Sequence, residues 1–540
     1  MALSTSSYWP ADESDPIWEM TVGDLLRRAV SLAPERDALV EVVLDDMTSL
    51  TGADSTSRRW TYRELLADAE RCAGWLLKRF SPGEAVCVWA ANVPEWVVVQ
   101  YGAALAGLVL VTANPALRSG ELRHVLRQSG AAGLIYLDSF RGHSMEAVAR
   151  EVAGEVREAI SLTGLMSQIA CALPPKAWPV VAPDSPTQIQ FTSGTTGLPK
   201  GATLRHRAMV SNAAYLADRS GQEREIWVTP MPLFHTAGSG LCVMGCAARL
   251  STLVLPCMFE PNLMLRTIAK ERATVTSGVP TMLVALLEAQ RANARDLSTL
   301  KVIVSGGAPV PPALHEAVER EFGCALTSLY GQTELSPSLT ATSPDDRPED
   351  RANTSGRPLP QVEVRIADPV TGEVLAVGTE GEVQARGYQV MLDYVGQPEA
   401  TARTILPDGW LKTGDVGRFD ARGYLQITGR LSDMIIRGGE NLYPAEIEAA
   451  LAQHEAVGEV AVFGVPDDRW GEIAVAAIRL IPSRARPQAD DLKAHCRARL
   501  SPQKTPHAWY VVDALPLTAS GKVQKFTLQA SALRGELIEL

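Results

Sequence analysis

A chain of 540 residues is too long for a single hydrophobic core and divides into two or more domains. Its 46% hydrophobic and 21% charged residues are ordinary for a globular protein. The net charge of −11, with no long basic run, argues against nucleic acid as a partner.

The first twenty residues carry Asp12, Glu13 and Asp15 without an apolar core, so no signal peptide is read there. Thr21–Leu32 and Thr61–Leu77 read as amphipathic helices. In the second, Thr61 and Glu64 have capping-box spacing, and Leu65, Leu66, Ala69, Cys72, Ala73 and Leu76 recur at helical intervals. Ala85–Trp89 reads as a buried strand, Glu95–Leu108 as a helix and Val109–Ala113 as a strand ended by Asn114-Pro115. Trp96–Ala113 is the most apolar stretch. It is short and holds Gln100 and two glycines, so a buried helix and strand fit better than a transmembrane segment. Glu121–Gln128 is a helix and Gly133–Leu137 a strand. Such alternation implies a mostly parallel sheet covered on both faces. Ala172–Pro186 is a Pro-rich loop.

That loop leads to Phe191–Gly201, FTSGTTGLPKG, with four Ser/Thr, three Gly, one Pro and one Lys in eleven residues. Glycines let backbone N–H groups approach an anion closely, hydroxyls of Thr192, Ser193, Thr195 and Thr196 add donors, and Lys200 adds positive charge. The stretch reads as a phosphate cradle. It is not the common P-loop, because Pro199 precedes Lys200 and Gly201 follows it. The bland alternative, a solvated linker, fits poorly between the apolar run Ile189–Phe191 and a long globular remainder.

After the cradle come a helix at about Arg205–Asp218, a strand Ile226–Pro230, the loop Pro232–His235, and a further helix and strand to about Leu255. Ser277–Thr281 is a strand end turning into helix Met282–Gln290. Lys301–Ser305 is a strand ending in Gly306-Gly307-Ala308-Pro309, and Leu326–Tyr330 one ending in Gly331-Gln332-Thr333-Glu334. Ligands of open α/β sheets bind outside the carboxyl ends of strands, so these loops are expected to meet in one cleft. Between Gly356 and Gly429 strands shorten and turns recur, which reads as a small β-rich unit or barrel. Beyond it, helix Pro444–Gln453, strands Glu459–Val465 and Ile473–Ile481, helix Asp490–Leu500 and strand Trp509–Val512 make a compact α+β domain. The boundary falls at Leu431–Asp433. The expected fold is thus α/β: residues 1–430 carry two doubly wound sheet subdomains and the small barrel, and 434–540 the α+β domain.

The cradle resembles the phosphate loop of the adenylate-forming superfamily of acyl-CoA synthetases, peptide-synthetase adenylation domains and luciferases. Four further stretches extend the resemblance, in family order. Tyr330-Gly331-Gln332-Thr333-Glu334 is similar to the adenine and magnesium loop, with Tyr330 facing adenine, Thr333 a phosphoryl oxygen and Glu334 Mg²⁺. Thr413-Gly414-Asp415 is similar to the ribose-binding triplet. Gly429-Arg430 matches an arginine that also reaches ribose. Pro516–Lys522 resembles the loop carrying the catalytic lysine, Lys522. The ATP-binding set implied is Thr192, Ser193, Gly194, Thr195, Thr196, Gly197, Lys200, Gly307, Ala308, Pro309, Tyr330, Gly331, Thr333, Glu334, Asp415, Arg430 and Lys522. The hinge is commonly Asp or Lys two residues after the arginine. Here it is Ser432, with Asp433 next.

The loop Phe234–Gly238 lacks the acid that amino-acid-activating members use, and an unpaired buried ammonium is costly, so an α-amino acid is disfavoured. Ile436–Pro444 and Val465–Glu472 resemble acyl-CoA synthetases, in which Gly438 and Gly439 let the CoA arm pass and His235 stands beside the carboxylate as a gate. A core histidine is the alternative for His235. Acyl-binding candidates are His235, Thr236, Val279, Gly306 and Gly331. The walls 235–240, 277–281 and 305–307 hold no Arg or Lys, which favours a hydrophobic monocarboxylic acid. The resemblance implies ATP and Mg²⁺, a carboxylic acid, and CoA or a carrier-protein phosphopantetheine. An acyl-AMP ligase and a luciferase-like or non-catalytic member stay open. The presence of Lys200, Glu334, Asp415 and Lys522 argues against the last. Eight scattered cysteines show no zinc spacing and read as free thiols of a cytoplasmic protein. A homodimer stays open.

Overall fold

The computed structural model describes residues 6–44, 49–52, 57–192, 199–438, 440–517 and 523–540, with the main chain alone at 440 and 441. Two large sheets dominate. The first runs Lys200–Arg205, Pro186–Thr192, Val109–Ala113, Ala85–Trp89, Gly133–Tyr136 and Glu158–Ser161 in spatial order. It is parallel except for the antiparallel pair at the Lys200 edge. The second has nine strands. Its six central ones, Ala325–Gly331, Val302–Ser305, Val275–Ser277, Ile226–Val228, Thr252–Pro256 and Asp37–Val42, are parallel, and antiparallel strands close both edges.

Helices Val22–Leu32, Tyr62–Leu76 and Pro94–Leu105 pack on one another within one core that takes residues from both sheets. All twelve residues of Pro94–Leu105 are buried, which explains an apolar stretch without amphipathic alternation. Among the described residues no helix is long and apolar enough to cross a membrane. The capping box is formed: Glu64 N–H donates to Thr61 Oγ1 at 3.2 Å, and Thr61 N–H donates to Glu64 Oε2 at 2.8 Å.

Several regions differ from the sequence reading, three of them close to the strand ends where the site is expected. Lys200–Arg205 is a strand paired with Pro186–Thr192, and the helix begins only at His206. The segment read as one helix before Leu255 is a π-turn, Ala237–Cys242, continued by Val243–Ala248. Helices Pro261–Glu271 and Pro312–Phe322 were not anticipated. Each begins at a proline, which reads as a breaker in sequence but is preorganised for the first helical turn.

The β-rich unit is a five-stranded antiparallel sheet of Tyr8–Trp9, Val362–Ala367, Gly381–Gly387, Leu411–Phe419 and Leu425–Arg430. A flat sheet would hold its first and fourth strands about 14 Å apart. Trp9 of the first stacks on Phe419 of the fourth with centroids at 6.0 Å, so the sheet curls around its own core. A single 3-10 turn, Leu431–Asp433, leads to the last sheet, in which Ile435–Arg437, Gly471–Leu480, Ala508–Val511 and Val457–Asp467 are joined. Alternate residues of its strands face opposite ways. Val462, Ala474 and Ala476 meet helices Pro444–Leu451 and Ala489–Arg497, whereas Phe463, Val475 and Ala477 meet Leu528 of helix Lys525–Leu533.

Candidate functional site

The strands on either side of the cradle in sequence, Pro186–Thr192 and Lys200–Arg205, pair antiparallel. Thr192 and Lys200 are paired, and Thr192 Oγ1 donates to the Lys200 carbonyl at 3.3 Å. Ser193, Gly194, Thr195, Thr196 and Gly197 lie outside the described residues. So do Gly439 and Lys522. Beside these strands, His124 Nε2 is 2.9 Å from the Pro199 carbonyl, and its ring meets Phe191 edge-on.

Segment 391–395 runs along Lys200–Arg205. Leu392 N–H donates to Thr203 O at 2.8 Å, Thr203 N–H to Asp393 O at 2.9 Å, and Val395 N–H to Gly201 O at 2.8 Å. This places the Tyr394 ring beneath Lys200, whose Nζ is 4.9 Å from the ring centroid. Tyr394 Oη donates to Glu334 Oε1 at 2.6 Å, and both residues are buried. Burial, then the neighbouring carboxylate, pushes the Tyr394 phenol well above its ordinary pKa, so it stays a donor.

Glu334 is held by a short 3-10 turn, Thr333–Leu335, just after strand Ala325–Gly331. Gly331 is forced by close approach: a Cβ there would stand 2.0 Å from the Pro337 carbonyl oxygen. Tyr330, one residue earlier, donates from Oη to Asp415 Oδ2 at 2.8 Å, and Arg430 Nε meets Asp415 Oδ1 at 2.9 Å. Asp415 and Arg430 are directly paired across neighbouring strands. Asp415 N–H also donates to Thr413 Oγ1 at 3.1 Å, which fixes the turn. Asp415 raises the pKa of Arg430, and burial followed by Asp415 raises that of Tyr330, so the trio is one anion between two donors.

His235 opens the π-turn. Ala237 N–H donates to its Nδ1 at 3.2 Å, which assigns the ring proton to Nε2. Two glutamines reach this loop from the strand that leads into the cradle: Gln190 Nε2 donates to Phe234 O at 2.8 Å, and Gln188 Nε2 to Ser239 Oγ at 3.2 Å. Asn92, beyond strand Ala85–Trp89, accepts from Leu233 N–H at 2.9 Å. Val279 and Gly307 are neighbours: a Cβ on Gly307 would be 3.8 Å from Val279 Cγ1. Gly306 is half-buried, whereas Ala308 and Pro309 are exposed. Thr236, expected to line the acyl site, is fully buried, and among the described residues its Oγ1 has no hydrogen-bond partner.

In the last sheet, Gly438 is left-handed at φ +59°, its N–H donates to Trp470 O at 2.7 Å, and a Cβ would stand 2.8 Å from the indole. Arg437 and Arg469 both lie over Trp470, at 5.2 and 4.9 Å. Arg469 is exposed, whereas Arg437 is half-buried and donates to the Gln503 carbonyl; positive charge beside an aromatic suits a phosphate-bearing ligand.

Among the described residues no group of three or more His, Cys, Asp or Glu could hold a metal by itself. Glu334 offers one buried carboxylate. That donor set fits Mg²⁺, which is commonly bound by one or two carboxylates with substrate phosphates and water. Tyr394, Gln188, Gln190 and His124 were missed in the sequence. Gln188 and Gln190 had a readable signal, two polar residues two apart in a buried strand and therefore on one face.

The profile of the AMP-binding enzymes matches residues 26–395, and that of the AMP-binding enzyme C-terminal domain residues 446–522. YngI of Bacillus subtilis (strain 168), provisionally named an acyl-CoA synthetase, is 37% identical over 548 residues, covering 95% of this chain and 97% of its own. The mitochondrial medium-chain acyl-CoA ligase ACSF2 of Homo sapiens is 36% identical, covering 94% and 87%. The crystal structure of ATP-bound MatB from Rhodopseudomonas palustris superposes with a TM-score of 0.85 at 28% identity, covering 96% of this chain and 100% of that one. The chain therefore belongs to the adenylate-forming AMP-binding enzymes, in their branch of AMP-forming acid–thiol ligases, the acyl-CoA synthetases.

Proposed function

We propose that this ligase converts a hydrophobic monocarboxylic acid, ATP and CoA into acyl-CoA, AMP and pyrophosphate, with Mg²⁺ at Glu334. The observation that carries the reading is the pair of assemblies at neighbouring strand ends. One is a lysine, a phenol and a buried carboxylate; the other is an aspartate held by Tyr330 and Arg430. Phosphate chemistry suits the first and ribose hydroxyls suit the second, because a carboxylate accepts through both oxygens.

In the first half-reaction the acid's carboxylate oxygen attacks the α-phosphorus, and the bond to pyrophosphate breaks. Lys200 and the cradle hold the departing phosphates, and Lys522 meets the charge that builds at the α-phosphate. When bound, Mg²⁺ supplies further charge neutralisation on phosphate oxygens. In the second, a thiolate attacks the acyl carbon and AMP leaves. His235 stands by the carboxylate, and Gly438 and Gly439 line the approach of the thiol. Rotation about Leu431–Asp433 exchanges the two arrangements. Domains 1–430 and 434–540 are the moving bodies.

The acid-free His235 loop supports an apolar acid, and the medium-chain specificity in the human relative's name supports a fatty chain. The cysteines support a cytoplasmic, reducing compartment: all eight are free and seven are buried. With octanoate, an aryl acid and leucine as alternative substrates, we expect AMP and pyrophosphate from the first two, acyl-CoA by mass when CoA is present, and no turnover in EDTA. ADP and phosphate as products, or a preference for leucine, would refute the reading. Thiol loading of a carrier protein with none of CoA would identify an acyl-AMP ligase.

Gly438→Leu separates the halves. A side chain in the left-handed region costs about 1–2 kcal/mol even before the clash with Trp470. Thioester formation from synthetic acyl-adenylate is expected to fall by about tenfold or more, while ATP–pyrophosphate exchange is unchanged. Equal loss of both halves would remove Gly438 from the thiol path.

A further inference from the structure

We propose that Tyr394 is a positioning residue that sets Lys200 through its ring and Glu334 through its hydroxyl. The proposal rests on the reading of Lys200 as a phosphate-binding cation and Glu334 as the Mg²⁺ ligand.

The side chain is buried and its backbone is fixed on both sides. Its N–H donates to Thr401 Oγ1 at 2.9 Å, and its main chain is bridged to Ala202. The following N–H, from Val395, is bonded to Gly201 O at 2.8 Å, and Met391 N–H is bonded to Glu334 O at 2.9 Å. Segment 391–395 therefore ties strand Lys200–Arg205 to the turn that carries Glu334, and Tyr394 occupies the space between the Lys200 and Glu334 side chains.

A neutral aromatic suits that place physically. Lys200 and Glu334 carry opposite charges, and in direct contact they would neutralise each other and compete with phosphate and metal. The ring separates them: the ammonium lies on its face at 4.9 Å and the carboxylate at its hydroxyl at 2.6 Å. The π face attracts the ammonium without cancelling its charge. The phenol holds Oε1 and restricts the carboxylate, and hydrogen-bonded partners of metal ligands of this kind typically contribute about 10–100-fold to metal affinity.

The test measures Mn²⁺ affinity by electron paramagnetic resonance in the presence of a non-hydrolysable ATP analogue, and analogue binding in EDTA by calorimetry, on the full chain. Tyr394→Phe keeps the ring and removes the hydroxyl. It is expected to weaken Mn²⁺ about tenfold or more and to leave metal-free nucleotide binding unchanged. Tyr394→Leu is expected to weaken both, because Lys200 loses its support. Glu334→Gln is the reference and is expected to weaken Mn²⁺ at least as much as Tyr394→Phe. A folded Tyr394→Phe with wild-type Mn²⁺ affinity, beside a damaged Glu334→Gln, would overturn the proposal and leave the metal reading intact. Wild-type Mn²⁺ affinity in Glu334→Gln would overturn the metal reading itself, and the proposal with it. Should Tyr394→Leu fail to fold, the phenylalanine variant alone decides.

Discussion

Lys522→Ala is expected to slow acyl-adenylate formation by about 100–1000-fold, or about 3–4 kcal/mol, the usual cost of removing a donor aimed at developing transition-state charge. The same variant, supplied with synthetic acyl-adenylate and CoA, is expected to form thioester at close to the normal rate. The asymmetry follows from where charge accumulates. Negative charge grows on the α-phosphate oxygens only while the carboxylate displaces pyrophosphate. Once the adenylate exists, the attacked atom is the acyl carbon. The segment bearing Lys522 is anchored at its two ends, where Leu517 and Val523 form an antiparallel bridge and Gln524 N–H donates to Pro516 O at 2.8 Å. Those ends belong to the last sheet's body, beyond the turn Leu431–Asp433 that joins it to the rest. Single-turnover assays of each half-reaction decide the matter. Equal damage to both steps would favour a fixed arrangement of the two bodies, with Ser432 bonded to Asp433 Oδ1 at 2.9 Å as a static turn.

The sequence was most legible where a residue's partner lies close along the chain. The Thr61–Glu64 box spans one helical turn, and the strands flanking helix Pro94–Leu105 announce themselves by apolar runs bounded by turns. It was least legible where a residue's meaning is set by distant segments. Tyr394 meets Glu334 sixty positions away, and Tyr330 meets Asp415 eighty-five away, so nothing local around either tyrosine reports the contact. Tyr330 and Asp415 lie in stretches that resemble the family's motifs, whereas Tyr394 lies outside them. The strand Lys200–Arg205 escaped for a different reason. It is an edge strand with one paired neighbour in its own sheet, and its residues KGATLR lack the apolar density of the buried strands.

Asp415→Asn is expected to lower kcat/KM for ATP by about 10–100-fold, since hydrogen bonds to charged groups are worth about 1.5–3 kcal/mol each. The wild-type carboxylate is acceptor-only, and both oxygens face donors: Tyr330 Oη at 2.8 Å and Arg430 Nε at 2.9 Å. An amide must turn its NH₂ toward one of them, setting donor against donor at a nearly buried position. Arg430 is 40% exposed, so water relieves part of its loss; the larger effect falls on Tyr330 and on any ribose hydroxyl presented to the same atoms. This variant differs from Lys522→Ala in a diagnostic way. The ribose stays bound through both half-reactions, so Asp415→Asn is expected to impair thioester formation from synthetic acyl-adenylate as well as adenylation. Replacing ATP by its 2′-deoxy analogue supplies the second axis. The wild-type enzyme is expected to discriminate against the missing hydroxyl, because the buried carboxylate then loses the hydrogen bond that the ribose adds to those from Tyr330 and Arg430. In Asp415→Asn that preference is expected to shrink toward none. A variant that lost activity yet kept full discrimination would show that Asp415 acts by bracing Tyr330 and Arg430 and does not itself meet the ribose.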